Sequence, residues 1–134
     1  MVVKAIVYAD GGCRHNGEVG ALSYGSFKVL VDGQLKRHRE ATLSNAITSN
    51  EAEYGTLLAV TKYIDEVESK TTRPIEWVIR MDSALVVKQL TGGWKVKAPN
   101  LKGTYEVLRA WFKSNSNATL EKVDRNELFT VLGH

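Results

Sequence analysis

Residues 50–68 read NEAEYGTLLAVTKYIDEVE, and the fold turns on this stretch. Leu57, Val60, Thr61 and Ile64 recur in it at the three- and four-residue spacing of one helix face. Asn50, whose short polar side chain can bond a free backbone amide, is the expected N-cap. Upstream the period is different. Residues 2–9 (VVKAIVYA) are almost continuously apolar and rich in β-branched types, the pattern of a strand covered on both faces, and Asp10-Gly11-Gly12 is expected to end it. Residues 19–31 and 34–43 predict two more strands joined through Asp32-Gly33, a hairpin signal, the second of them polar and charged as edge strands often are.

Downstream, Pro74 precedes a strand over 75–81 (IEWVIRM), and Ser83 caps a short helix over 84–90 that Gly92-Gly93 stops. A second helix over 99–113 begins at Pro99 and carries Leu101, Tyr105, Leu108, Ala110 and Trp111. A strand over 118–123 and a helix over 127–134 complete the chain. The order β-β-β-α-β-α-α-β-α predicts an α/β fold in which three meandering strands and a strand–helix alternation share one five-stranded mixed sheet flanked by helices.

The length of 134 residues suits one domain, 1–134. A net charge of +3 permits a nucleic-acid partner without demanding one. No apolar run approaches the roughly 20 residues of a bilayer span, so no membrane role is expected. The first ten residues lack the layout of a signal peptide. Cys13, the single cysteine, leaves no internal disulfide and fits a reducing, cytoplasmic setting. Neither a C-x-x-C pair, an H-E-x-x-H helix nor a P-loop pattern is present, and His15, His38 and His134 lack the context of a serine-type triad. Zinc, nucleotide-triphosphate and serine-hydrolase chemistry are therefore unsupported.

Three acids remain. Asp10 and Asp82 each end an apolar strand, where sites form in open α/β sheets, although an aspartate there can also simply cap a turn or a helix. Glu53 lies within about 40° of Leu57 and about 20° of Val60 and Ile64 on the helical wheel, on the inward stripe. Glu51 lies about 200° away from it, toward solvent. An inward carboxylate is costly unless compensated, either by backbone amides at the helix start or by a cation. Clustered carboxylate oxygens suit a hard ion such as Mg2+, or Mn2+ in its place.

These residues resemble a known family. VYADGGCRHNG (7–17), TSNEAEYGTLLA (48–59) and MDSALVVKQL (81–90) are similar to the blocks around the first three acids of type 1 ribonucleases H. The resemblance implies the ribonuclease H-like fold over the whole chain. It makes Asp10, Glu53 and Asp82 catalytic ligands of two Mg2+ or Mn2+ ions, and an RNA/DNA hybrid the partner whose RNA strand is cut to 5′-phosphate and 3′-hydroxyl ends. Asn16 and Asn50 match substrate-contacting positions, with Gly11 and Ser83 beside the acids, and Thr48 matches a position that grips a DNA-strand phosphate. Trp94, Lys95 and Lys97, with Lys102 nearby, form an aromatic-plus-basic segment placed beside the hybrid, which could equally be a solvated loop. A monomer is implied.

The chain departs from that pattern at its end. Val123-Asp124-Arg125 matches the family's V-x-R strand end, but the fourth acid's position falls near Val131 or Leu132, which cannot bind a metal. His134 is the expected substitute, with Glu127 or a terminal carboxylate as alternatives, and an imidazole ligand would favour Mn2+. The basic protrusion and histidine-bearing loop of some members have no counterpart. Two other functions stay open on sequence grounds, a non-catalytic hybrid-binding module and a DNA-cutting nuclease of the same fold.

Overall fold

A computed structural model describes residues 2–14, 22–42 and 48–133. Its centre is β1 (Val3–Arg14), which runs antiparallel to β2 (Leu22–Val31) on one side and parallel to β4 (Ile75–Met81) on the other. With β3 (Gln34–Thr42) outside β2 and β5 (Ala118–Lys122) outside β4, the sheet order is β3-β2-β1-β4-β5. The mixed five-stranded sheet is as expected. At the β2–β3 hairpin, Asp32 and Gly33 both have positive φ, 53° and 76°. That pair of left-handed residues gives the tight turn whose twist matches the flanking strands.

One expectation fails in an informative way. Asp10-Gly11-Gly12 does not end β1, because β2 supplies backbone partners as far as Arg14, from Asp10↔Ser26 to Arg14↔Leu22. What ends near Asp10 is only the pairing with β4, whose last pair is Tyr8↔Arg80. The glycines mark close approach instead of a turn. A Cβ on Gly11 would lie 2.5 Å from the Ala52 carbonyl oxygen, so only glycine lets the helix come this near.

That helix is α1 (Ser49–Ser69), and Thr48, not Asn50, caps it. Thr48 accepts from the Glu51 amide at 3.2 Å while the Glu51 side chain accepts from the Thr48 amide at 3.1 Å, a reciprocal capping box. Glu51, expected to point toward solvent, is half-buried in the cap. Leu57, Val60, Thr61 and Ile64 are all buried, on the sheet face that Ala5, Val7, Ala9, Phe27 and Ile79 present. α2 (Ala84–Thr91) and α3 (Pro99–Ser114) add to this layer. Leu101 and Leu108 are the buried positions of α3, while Ala110 faces out. α4 (Arg125–Leu132) starts two residues earlier than expected and covers the opposite face, packing Leu128 and Leu132 on Tyr8. Among the described residues no helix is long and apolar enough to cross a membrane.

Candidate metal centre

Two strands part company at one place. Beyond Tyr8↔Arg80, β1 continues beside β2, whereas β4 ends at Met81, so Asp10 and Asp82 sit two residues past the last shared pair. Strand alternation puts Ala5, Val7 and Ala9 against α1 and Tyr8 against α4, which places Asp10 on the α4 side. Glu53 reaches the same gap from α1, because Gly11 allows the second turn of that helix to lie on the β1 backbone. Asp10, Glu53 and Asp82 each offer a carboxylate oxygen, and these oxygens lie within 4.8 Å of one another. All three residues are half-buried.

The structure removes the plain alternatives for each acid. No turn begins at Asp10, Ser83 and not Asp82 accepts from the Val86 amide as cap of α2, and Glu51 and not Glu53 closes the cap of α1. Glu53 instead faces like charges. Its pKa is pushed up to about 7, first by burial and then by Asp82 and Asp10, with a Ser83 hydrogen bond and the Arg125 guanidinium pulling the other way. Ser83 thus serves both neighbours, lowering the Glu53 pKa and accepting from the Val86 amide at 3.2 Å. Three hard oxygen donors at this separation fit a divalent cation of the Mg2+ type, which would relieve their mutual repulsion.

Sequence reasoning missed Arg125. Its Nη1 lies 3.9 Å from Asp82 Oδ2 with the side chain largely exposed. The signal was available, since a cation in the first turn of a helix opposes the helix dipole and calls for a nearby anion. Glu127 is not part of the cluster. Its Oε2 accepts from the Tyr8 hydroxyl at 3.1 Å and lies 3.7 Å from Arg80 Nη1, an arrangement directed away from the three acids. Thr48 is half-buried with its hydroxyl in the capping box, also 3.2 Å from Glu51 Oε1, and Asn50 is exposed beside it. Trp94, 51% exposed, and the exposed Lys95 and Lys97 lie between α2 and α3. His15, Asn16, His134 and the Cys13 side chain fall outside the described residues.

A mixed sheet in this strand order, with carboxylates converging where β1 and β4 separate, defines the ribonuclease H-like class of α/β proteins. No family model matches the chain. It is 36% identical over 103 residues to the bifunctional protein Rv2228c of Mycobacterium tuberculosis, covering 77% of this chain and 26% of that protein. With the ribonuclease HI of Halobacterium salinarum it shares 34% identity over 100 residues, 71% of this chain and 44% of the relative. The chain thus spans a quarter to under half of the length of these relatives. Among solved structures, the N-terminal ribonuclease H domain of Rv2228c superposes with a TM-score of 0.74 at 31% identity, covering 96% of this chain and 87% of that one. LC11-RNase H1, isolated from compost by a metagenomic approach, gives 0.82 at 26% identity over 95% and 89% of the two chains, and its complex with an RNA/DNA hybrid gives 0.79 at 26% over 92% and 87%. The chain belongs to the type 1 ribonuclease H family.

Proposed function

We propose that residues 1–134 act as one catalytic domain, a monomeric endoribonuclease that hydrolyses the RNA strand of RNA/DNA hybrids to 5′-phosphate and 3′-hydroxyl ends. The observation that carries this reading is the convergence of Asp10, Glu53 and Asp82 from three separate elements of a ribonuclease H fold. The hybrid-bound LC11-RNase H1 supports the substrate class. Two divalent ions, Mg2+ or Mn2+, held by these carboxylates supply activation of the attacking water and charge stabilisation at the leaving 3′-oxygen.

The chain's own residues prepare that chemistry. Asp10 holds one carboxylate within β1 and Asp82 a second one residue past the end of β4, while Glu53 brings the third from α1. A Glu53 pKa near 7 makes ion binding release a proton and strengthen as pH rises. Arg125 limits the negative charge facing an incoming phosphate. His134 completes the ligand set, and Gly11, Asn16, Thr48, Asn50, Ser83, Trp94, Lys95 and Lys97 line the substrate, with 2′-hydroxyl contacts selecting RNA. The single cysteine supports action in a reducing compartment such as the cytoplasm.

A labelled hybrid incubated with Mg2+ or Mn2+, beside single-stranded RNA and duplex DNA, tests the reading. Metal-dependent cutting confined to the hybrid's RNA strand is expected. Faster cutting of duplex DNA, or binding without cutting in either metal, would overturn it.

A further inference from the structure

Residues 93–98 pass from α2 to α3 without regular structure, and Trp94, Lys95 and Lys97 are exposed on them. Two hydrogen bonds tie the segment back to α2. The Trp94 amide donates to the Lys88 carbonyl at 3.1 Å, and Gln89 Nε2 donates to the Lys95 carbonyl at 3.3 Å. At its other end Gln89 accepts, through Oε1, from the hydroxyl of Tyr54 on α1. Tyr54 follows Glu53 directly in sequence. One buried amide therefore connects the helix that carries a site carboxylate to the segment that carries the exposed tryptophan and lysines.

This linkage is expensive to build unless its geometry matters. Gln89 is 4% exposed and Tyr54 1%, and burying an amide and a hydroxyl gains nothing that leucine and phenylalanine would not give more cheaply. The chemistry also fixes which way the amide points. A phenol keeps its proton at neutral pH, so the Tyr54 hydroxyl is the donor of this pair. The Lys95 carbonyl can only accept. A glutamine supplies one acceptor and one donor at the two ends, whereas an ionised glutamate supplies acceptors alone.

We propose that Gln89 is a positioning residue for the nucleic-acid substrate, holding the 94–97 segment, through the Lys95 carbonyl, at a fixed distance from the Asp10–Glu53–Asp82 centre. It rests on the reading of Trp94, Lys95 and Lys97 as substrate contacts. A segment held in its bound form loses less conformational freedom on binding, so the contribution falls on affinity and not on the chemical step. Lys95 and Lys97 then meet the backbone phosphates, and the Trp94 ring meets the sugar–base surface, in a preset arrangement.

Steady-state cleavage of a hybrid by the full chain, with thermal unfolding alongside, tests this with Gln89→Glu, Tyr54→Phe and Trp94→Ala. Gln89→Glu keeps the acceptor for Tyr54 and removes the donor to Lys95. It should raise KM about tenfold with kcat within about twofold, and Tyr54→Phe should raise KM about threefold. Trp94→Ala should raise KM in the natural background and add little in the Gln89→Glu background, because both changes disable one unit. Loss of kcat in Gln89→Glu as large as the rise in KM, or a full Trp94→Ala effect in that background, would overturn the proposal. If Gln89→Glu does not fold, Tyr54→Phe decides, and an unchanged KM there overturns it. An unchanged KM in Trp94→Ala would remove the segment from substrate binding and the role of Gln89 with it. Continued metal-dependent cleavage in that variant would leave the carboxylate centre standing.

Discussion

Helix α1 carries two inward-reaching glutamates, and their surroundings are opposite. Glu68, near its end, accepts through Oε2 from Asn117 Nδ2 at 2.7 Å and from the Trp77 indole at 3.3 Å, so uncharged donors satisfy it. Glu53, near its start, has one serine donor and two neighbouring acids, and burial raises its pKa to about 7. The same helix thus holds one carboxylate that the protein compensates and one whose burial and acidic neighbours it answers only in part. The first ties α1 to β4 and to the turn before β5, since Asn117 Nδ2 also donates to the Ile75 carbonyl. The second stabilises nothing by itself. A buried carboxylate is structural when its charge is answered within the fold, and functional when it is not.

The contrast can be broken at either end. The largest effect is expected at the uncompensated end, where Asp10→Asn should lower kcat by about a thousandfold while hybrid binding and the far-ultraviolet spectrum stay close to normal. Unchanged turnover would remove Asp10 from the metal centre.

Glu53→Gln should lower kcat by about a hundredfold and yet stabilise the metal-free protein. Between pH 4.5 and about 7 the folded chain holds a proton on Glu53 that the unfolded chain has released. Rising pH through that window therefore lowers the stability of the natural protein, and the glutamine variant escapes the loss. Thermal melts without metal should show the variant about 2 kcal/mol more stable at pH 8 and equal at pH 4. Equal stability at both pH values would mean that Glu53 is not desolvated.

At the compensated end, Asn117→Ala should cost about 1 kcal/mol of stability with kcat unaltered, read from denaturant unfolding and steady-state rates. A matching fall in kcat would show that the two ends are coupled. The smallest effect is expected for Arg125→Gln, because that guanidinium is largely exposed and screened. Its loss should move the acidic limb of the pH–rate profile slightly upward, more at low salt than at high salt.

Much of the molecule was legible in its sequence where local rules decide. The strand over 75–81, the Asp32-Gly33 hairpin, the Ser83 cap and the inward face of Glu53 all follow from period and side-chain chemistry. What was misread depended on distant partners or on a local competitor. Gly11 looks like a stop because the helix that crosses it at Ala52 is far away in sequence. Thr48 and Glu51 form a readable capping box, but Asn50 competes for the same place in the pattern. The Tyr54–Gln89 bond joins positions 35 residues apart and has no local signature, and Arg125 in the first turn of α4 calls for an anion without naming Asp82, which it meets only after α4 has packed.

The place where β1 and β4 separate also couples the acidic centre to folding. The acids come from a central strand, the helix lying across it and the end of a neighbouring strand, so no lone loop or hairpin contains the site. An opening that frees α1 from the sheet disassembles it completely, and the centre exists only while the cooperative core does. Heat inactivation and loss of helical signal should therefore follow a single curve, making turnover a gauge of the intact fold.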